Sequence, residues 1–208
     1  MHIAISGNIG SGKTTLTAKL AKHYNWIAQF ESVESNPYLE DFYKDMERWA
    51  FNLQIHFLNS RFNHVKKINE NRKPIIQDRT IYEDAYIFAA TLHRSKILSD
   101  RDYATYMDLF QSMTDFIKPP DLLIYLRADI PKLVEQIQKR GRVYEESLRL
   151  NYLKDLNTHY EAWIQNYKLG KVLIIDVNKI DFIKKVEDFA LIINKIDVEL
   201  NGLFSQNS

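Results

Sequence analysis

The stretch that decides the fold is the glycine-rich run Gly7-Asn8-Ile9-Gly10-Ser11-Gly12-Lys13-Thr14. It matches G-x-x-x-x-G-K-[ST] in full, and three of the chain's six glycines lie in it. An apolar run of strand type precedes it and a helical pattern follows it. Backbone N–H groups of such a loop point at phosphate oxygens, and the helix start adds partial positive charge. The run therefore predicts a nucleoside triphosphate site, with Lys13 at the β- and γ-phosphates and Thr14 on Mg²⁺.

Composition limits the remaining function classes. The chain has 208 residues, of which 45% are apolar and 26% charged, which fits one α/β domain over residues 1–200 followed by a polar tail at 201–208. The net charge of +1 favours neither a nucleic acid polymer nor an anionic membrane as a partner. Cysteine is absent, which excludes disulfides and thiolate chemistry. Without a signal-peptide pattern or a long apolar run, we expect a cytoplasmic protein.

Five short apolar runs alternate with longer helical patterns. The predicted strands are residues 2–6, 26–30, 74–78, 122–127 and 172–176. Runs rich in Ile, Leu and Val are typical of strands buried on both faces. The sequence therefore predicts an α/β fold of the P-loop kinase type, with a five-stranded parallel sheet and helices on both faces.

The longest helical pattern covers residues 46–69 and has two apolar sides. One predicted stripe consists of Phe51, Ile55, Leu58, Phe62 and Val65; the other side carries Met46, Trp49 and Leu53. Two apolar sides indicate two packing neighbours. We expect a homodimer through this helix; the alternative is a helix packed wholly inside one domain.

A guanine-reading N-K-x-D motif occurs twice, at residues 178–181 and 194–197. A GTPase also needs a D-x-x-G switch, and no glycine of this chain follows an aspartate by three residues. We interpret both matches as chance.

Acidic residues follow two of the predicted strands. Glu31 comes after the second strand, and Asp78 ends the third and is followed by Arg79. Ligands of open α/β sheets bind beyond the carboxyl ends of the strands, so we expect both acids to face the phosphate loop. One acid would accept a hydroxyl proton and the other would hold the metal, and spacing alone leaves the assignment open.

A basic turn completes the predicted machinery. Arg140 and Arg142 flank a glycine within Lys139-Arg140-Gly141-Arg142. Arginine grips phosphate oxygens in bidentate fashion, so we expect a phosphate-binding lid at about residues 139–147.

Together these motifs resemble the deoxynucleoside kinase family, in particular bacterial deoxyadenosine/deoxyguanosine kinases. Glu31-Ser32-Val33 is similar to the family's E-x-V element, although Ser32 stands where proline is usual, and Asp78-Arg79-Thr80 is similar to its (E/D)-R-S/T element. The resemblance implies that Glu31 is the base that orients the substrate 5′-hydroxyl. It further implies that Asp78 helps to hold Mg²⁺ and that Arg79 binds near the transferred phosphoryl group.

The resemblance also implies substrate contacts. Tyr43 and Glu145 would bind the 3′-hydroxyl of the sugar, and Thr15 would extend the phosphate loop. The base would be read by Gln54, Arg61, Asp84 and Phe88. The adenine of ATP would lie near Asp181 and Phe182.

These expectations combine into transfer of the ATP γ-phosphoryl group to the 5′-hydroxyl of a deoxyribonucleoside. Deoxyadenosine is favoured, with deoxyguanosine and deoxycytidine left open, and ATP and Mg²⁺ are the expected cofactors. One departure from some relatives is Gln136, where they carry a further lid arginine. Two alternatives are a nucleoside monophosphate kinase similar to thymidylate kinase and a nucleotide-binding regulator without catalysis.

Overall fold

The protein forms one five-stranded parallel sheet in the computed structural model, which describes residues 1–30, 36–142, 145 and 148–204, without the side chains of 203 and 204. The strands are β1 (His2–Gly7), β2 (Ile27–Gln29), β3 (Ile75–Asp78), β4 (Leu122–Arg127) and β5 (Lys171–Asp176). Their order in the sheet is β2-β3-β1-β4-β5. The glycine-rich loop follows β1, the central strand. The carboxyl ends of β3 and β4 therefore lie on either side of it.

Helices cover both faces of this sheet, as the sequence predicted. The helices are α1 (Lys13–Tyr24), α2 (Leu39–Lys44), α3 (Met46–Glu70), α4 (Ile81–Glu83), α5 (Ala90–Arg94), α6 (Asp100–Thr114), α7 (Ile130–Arg140), α8 (Leu150–Gln165) and α9 (Val186–Phe204). A π-helical segment, Asp84–Ala89, joins α4 to α5. Among the described residues, no helix combines the length and apolar character needed to cross a membrane.

Alternate strand residues feed two separate cores because successive side chains point to opposite faces. Ala4 and Tyr125 belong to a core with residues of α3, the π-helical segment and α8. Ile5 and Ile124 belong to the other core, with residues of α1, α7 and α9. All four side chains are at most 1% exposed, which explains the continuous apolar runs of the central strands.

Both predicted apolar sides of the long helix take part in packing. Leu58 and Val65 were predicted on one stripe and Leu53 on the other, and all three are buried. The remaining members of the predicted stripe, Phe51, Ile55 and Phe62, are partly exposed and pack against the core. The buried residues of α3 also include the polar residues Gln54 and Arg61, which the apolar pattern did not contain.

Parts of the predicted polar tail and of the predicted lid lie outside the described residues. Helix α9 continues to Phe204, past the start of the predicted polar tail, and residues 205–208 lie outside the described part. Of the predicted lid, residues 143, 144, 146 and 147 also lie outside it.

Candidate active site

The glycine-rich loop joins β1 to α1 at the carboxyl edge of the sheet. Gly12 has a φ of 93°, and a Cβ there would lie 2.9 Å from Cζ of Phe182. Gly10 has a φ of 87°, and a Cβ there would lie 2.8 Å from the backbone oxygen of Leu133 in α7. Both positions require glycine because their backbones are left-handed and tightly packed against neighbouring elements.

Hydrogen bonds within and behind this loop hold it in shape. Lys13 Nζ donates to the backbone oxygen of Asn8 at 3.0 Å. The Asn8 amide donates in turn to the Leu153 backbone oxygen and to the side chain of Asn157, both on α8. The loop is therefore fixed to α8 as well as to β1. Thr15, which was predicted to extend the loop, lies in the first turn of α1.

Thr14 and Asp78 meet at the edge between β1 and β3. Thr14 Oγ1 donates to Asp78 Oδ2 at 2.6 Å. The second carboxylate oxygen, Oδ1, is buried and has no hydrogen-bond partner among the described residues. The described part of the chain holds no cluster of three or more acidic or histidine side chains around one point. A hydroxyl and one carboxylate fit Mg²⁺, which is commonly bound by one or two carboxylates together with substrate phosphates.

Glu31 lies outside the described residues, so its predicted place at the phosphate loop is untested. The neighbouring backbone is described up to residue 30. In the ladder of β2 and β3, Gln29 pairs with Gln77, the residue before Asp78. The carboxyl end of β2 thus lies beside the end of β3 that carries Asp78.

One cavity opens beside the phosphate loop and gathers most of the predicted substrate residues. Its predicted lining residues are Ile9, Lys13, Thr14, Tyr43, Gln54, Arg79, Asp84, Phe88, Arg140, Arg142 and Glu145. They come from the phosphate loop, α2, α3, the turn after β3, the π-helical segment and the lid. Arg61 does not line the cavity and lies behind Asp84.

Gln54 and Asp84 are buried polar residues of the cavity wall, and Asp84 is paired with Arg61. Arg61 Nε donates to Asp84 Oδ2 at 2.7 Å, and both side chains are at most 3% exposed. Gln54 is 2% exposed, and its Oε1 has no hydrogen-bond partner among the described residues. A buried amide oxygen without a partner is costly, so its position in the cavity wall indicates a ligand contact.

The turn after β3 presents Arg79 to the cavity. Arg79 has a φ of 70°, which is unusual for a residue with a side chain, and its backbone N–H donates to Ile5 at 2.9 Å. Its guanidinium lies 4.3 Å from the ring centre of Phe88. Phe88 and Asp84 are four residues apart in the π-helical segment, and such segments are frequent at functional sites. The strained turn therefore places Arg79 at the cavity, and the π-helical segment places Asp84 and Phe88 there.

The lid arginines are held by Glu145. Arg140 Nε and Nη2 both contact the Glu145 carboxylate, and Arg142 Nη1 lies 3.6 Å from its Oε1. Arg140 ends α7, and Gly141 follows it with a φ of 65° that turns the chain back. The structure thus joins the two predicted phosphate contacts and the predicted sugar contact in one ion-pair cluster.

A second, smaller cavity lies on the opposite side of the phosphate loop. It is lined by Gly10, Ser11, Gly12, Lys132, Gln136, Val177, Ile180, Asp181, Phe182 and Ile183. Phe182 is 4% exposed, and Lys19 Nζ donates to its backbone oxygen. Hydrogen bonds from the backbone N–H groups of Lys184 and Ile183 lower the pKa of the Asp181 carboxyl. The predicted ATP-base residues Asp181 and Phe182 therefore lie beside the phosphate loop, together with Gln136.

Five lining residues of the first cavity were not among the predicted site residues: Leu39, Phe42, Leu53, Phe57 and Tyr152. Phe57 stands three residues after Gln54, a helical spacing that places both on one face, so this signal was available. Tyr152 carried no such signal because it comes from α8. Burial raises the pKa of its phenol well above the usual range, so the hydroxyl stays protonated.

Comparison with known proteins gives the family. A family model described as "Deoxynucleoside kinase" matches residues 3–201. The chain belongs to the deoxynucleoside kinase family. Membership makes it an ATP-dependent kinase of deoxynucleosides, which confirms the predicted resemblance and sets aside the monophosphate kinase and the non-catalytic regulator.

Relatives within the deoxynucleoside kinase family share most of the chain's length. A deoxyadenosine/deoxycytidine kinase of Bacillus subtilis is 40% identical over 93% of this chain and 90% of its own. A deoxyadenosine kinase of Dictyostelium discoideum is 44% identical over 88% of this chain and 74% of its own. The structure of deoxyadenosine kinase from M. mycoides with bound dATP superposes with a TM-score of 0.85 and 32% identity, over 95% of this chain and 100% of that one.

Replacement of Arg61 by methionine tests the buried pair. Arg61→Met keeps an unbranched apolar stem but leaves the Asp84 carboxylate buried without this cation. We expect the free energy of unfolding to fall by about 3–5 kcal/mol in urea denaturation. The control is Arg101→Met, in an exposed pair with Asp102, which should cost less than about 1 kcal/mol. If both variants lost the same free energy of unfolding, burial of the Arg61–Asp84 pair would have no special effect on stability.

Proposed function

We propose that the chain transfers the γ-phosphoryl group of ATP to the 5′-hydroxyl of deoxyadenosine. The observation that carries the proposal is one cavity lined by both Lys13 of the phosphate loop and Gln54, whose amide oxygen has no hydrogen-bond partner in the described part of the chain. A phosphate site and a base-reading amide in one cavity suit a nucleoside whose 5′ end is the acceptor.

Recognition of the base would rest on Gln54. Its amide offers a donor and an acceptor, which is the complement of the adenine edge. Asp84, held by Arg61, adds a fixed acceptor to the same wall, and Phe88 and Phe57 add apolar faces. The names of the Bacillus subtilis and Dictyostelium discoideum relatives both include deoxyadenosine, which supports this preference.

Recognition of the sugar would rest on Tyr43 and Glu145, which bind the 3′-hydroxyl. Both line the cavity, and a phenol and a carboxylate are suitable partners for a hydroxyl. Arg79 would lie near the 5′ position, where its charge meets the transferred phosphoryl group.

The transfer itself needs positioning and charge neutralisation more than covalent chemistry. Lys13 would bind the β- and γ-phosphates, and Arg140 and Arg142 would move from Glu145 to the phosphates as the lid closes. Thr14 and Asp78 would hold Mg²⁺, which when bound neutralises phosphate charge. Glu31 would accept the proton of the attacking hydroxyl.

The donor base would bind in the second cavity, at Asp181 and Phe182, with ATP as the donor. The two cavities have different lining residues of the phosphate loop, which supports binding of the donor base and the acceptor nucleoside in separate cavities. A cytoplasmic location stays a prediction.

A turnover screen tests the proposed acceptor. Purified protein is incubated with radiolabelled ATP, Mg²⁺ and each of the four deoxynucleosides or their monophosphates. We expect the highest kcat/KM with deoxyadenosine and no labelling of dAMP. A higher kcat/KM for thymidine would contradict the assignment of Gln54, and labelling of dAMP alone would contradict the nucleoside acceptor.

Glu31→Gln tests the proposed base. The amide keeps the shape of the side chain but does not accept the proton, so kcat should fall by about two to four orders of magnitude. Binding of deoxyadenosine, measured by calorimetry, should survive because the site keeps its other contacts. Near-normal turnover would remove Glu31 from this role.

We also propose a homodimer through α3. Phe51, Ile55 and Phe62 pack against the core but stay partly exposed, and Leu109 of the adjacent α6 is 38% exposed. Light scattering at micromolar concentration should give twice the chain mass, and Ile55→Glu should halve it. A wild-type monomer would contradict the proposal.

A further inference from the structure

The Glu83 carboxylate is a buried hydrogen-bond centre that no predicted role includes. Glu83 is 0% exposed. Its Oε2 accepts from the backbone N–H of Thr80 at 2.8 Å and from the Thr80 hydroxyl at 3.2 Å. Its Oε1 accepts from the Tyr160 hydroxyl at 2.9 Å and from the backbone N–H of Gly7 at 3.4 Å. Four donors thus converge on one carboxylate.

These donors belong to three different parts of the site. Gly7 is the first residue of the phosphate loop. Thr80 follows Arg79, whose φ is 70°, in the turn after β3. Tyr160 lies on α8, the helix that also binds Asn8 of the phosphate loop. Glu83 therefore connects the start of the phosphate loop, the turn that carries Arg79 and α8.

We propose that Glu83 is a positioning residue that fixes the phosphate loop at Gly7 relative to the turn that carries Asp78 and Arg79. In-line transfer depends on the distance between these two parts, and small displacements of reacting groups lower the rate strongly. Glu83 would act through them, without contact to substrate. This inference rests on the phosphoryl transfer proposed above.

Glutamine is an informative replacement because the four partners are not equivalent. The hydroxyls of Tyr160 and Thr80 can rotate to accept a hydrogen bond, whereas the backbone N–H groups of Gly7 and Thr80 only donate. Whichever way the amide of Glu83→Gln turns, its NH₂ group faces one of these two N–H groups. The variant keeps the volume of the side chain and disconnects either the loop or the turn.

Steady-state kinetics and binding measure the effect of Glu83→Gln. We expect kcat to fall about 10- to 100-fold, which corresponds to loss of one hydrogen bond to a charged group. Dissociation constants for deoxyadenosine and ATP, measured by calorimetry, should change less than about threefold, since misalignment acts on the transition state. A purely structural role would lower the melting temperature and leave kcat per folded molecule unchanged.

Two tyrosines supply a matched comparison that does not depend on the folding of Glu83→Gln. Tyr160 donates to Glu83 and Tyr125 donates to Glu161, both at 2.9 Å, and both tyrosines are at most 1% exposed. Tyr160→Phe should lower kcat about 3- to 10-fold, whereas Tyr125→Phe, which removes a hydrogen bond to Glu161 and leaves the bonds of Glu83 in place, should change it less than about twofold.

The outcomes separate this inference from the proposed function. Unchanged kcat in Glu83→Gln, or equal effects of the two tyrosine variants, would overturn the positioning role while the wild type stays active. If Glu83→Gln does not fold, the tyrosine comparison decides. A wild-type protein that phosphorylates no deoxynucleoside would overturn the proposed function and this inference with it.

Discussion

The site depends on one constraint, which is that β1 and β3 end at the same edge of the sheet. The hydrogen bond between Thr14 and Asp78 joins the segments at these two ends. In the ladder of β1 and β3, Ile5 pairs with Asp78, so the phosphate loop begins two residues after the partner of an acid. Parallel strands end at the same edge, and that edge must therefore carry both the loop and the carboxylate. The 2.6 Å bond closes the space between them. Lys13, Arg79 and the first cavity are all placed relative to this junction.

Local patterns were sufficient for most of the fold. The five strands, the phosphate loop and the 25-residue α3 were predictable because each depends on residues close together in the chain. The second strand was predicted too long, since only Ile27–Gln29 pairs in the sheet. The burial of Gln54 and Arg61 on α3 was not predictable from apolar periodicity. Buried polar residues of this kind are expected where a site overrides the rules of core packing.

Contacts between distant residues escaped the sequence for a physical reason. Glu83 and Tyr160 are 77 residues apart, and no period or spacing connects a residue of α4 to one on α8. Glu145 and Arg140 are only five residues apart in the chain. Whether their side chains meet nevertheless depends on the turn at Gly141 between them, which the sequence pattern does not specify. The motifs thus predicted which residues gather, and the structure was needed to see which of them hold one another in place.

Among the described residues, the linings of the two cavities have in common only the phosphate loop and the stretch from α7 into the lid. The walls of the larger cavity come mainly from α2, α3, the π-helical segment and α8, whereas the smaller one is closed by the segment between β5 and α9. Substitutions on α3 can reshape the first cavity without moving any wall of the second. Under the proposed assignment of the two cavities, nucleoside preference would be free to diverge among descendants of one ancestral scaffold while the donor site is inherited unaltered.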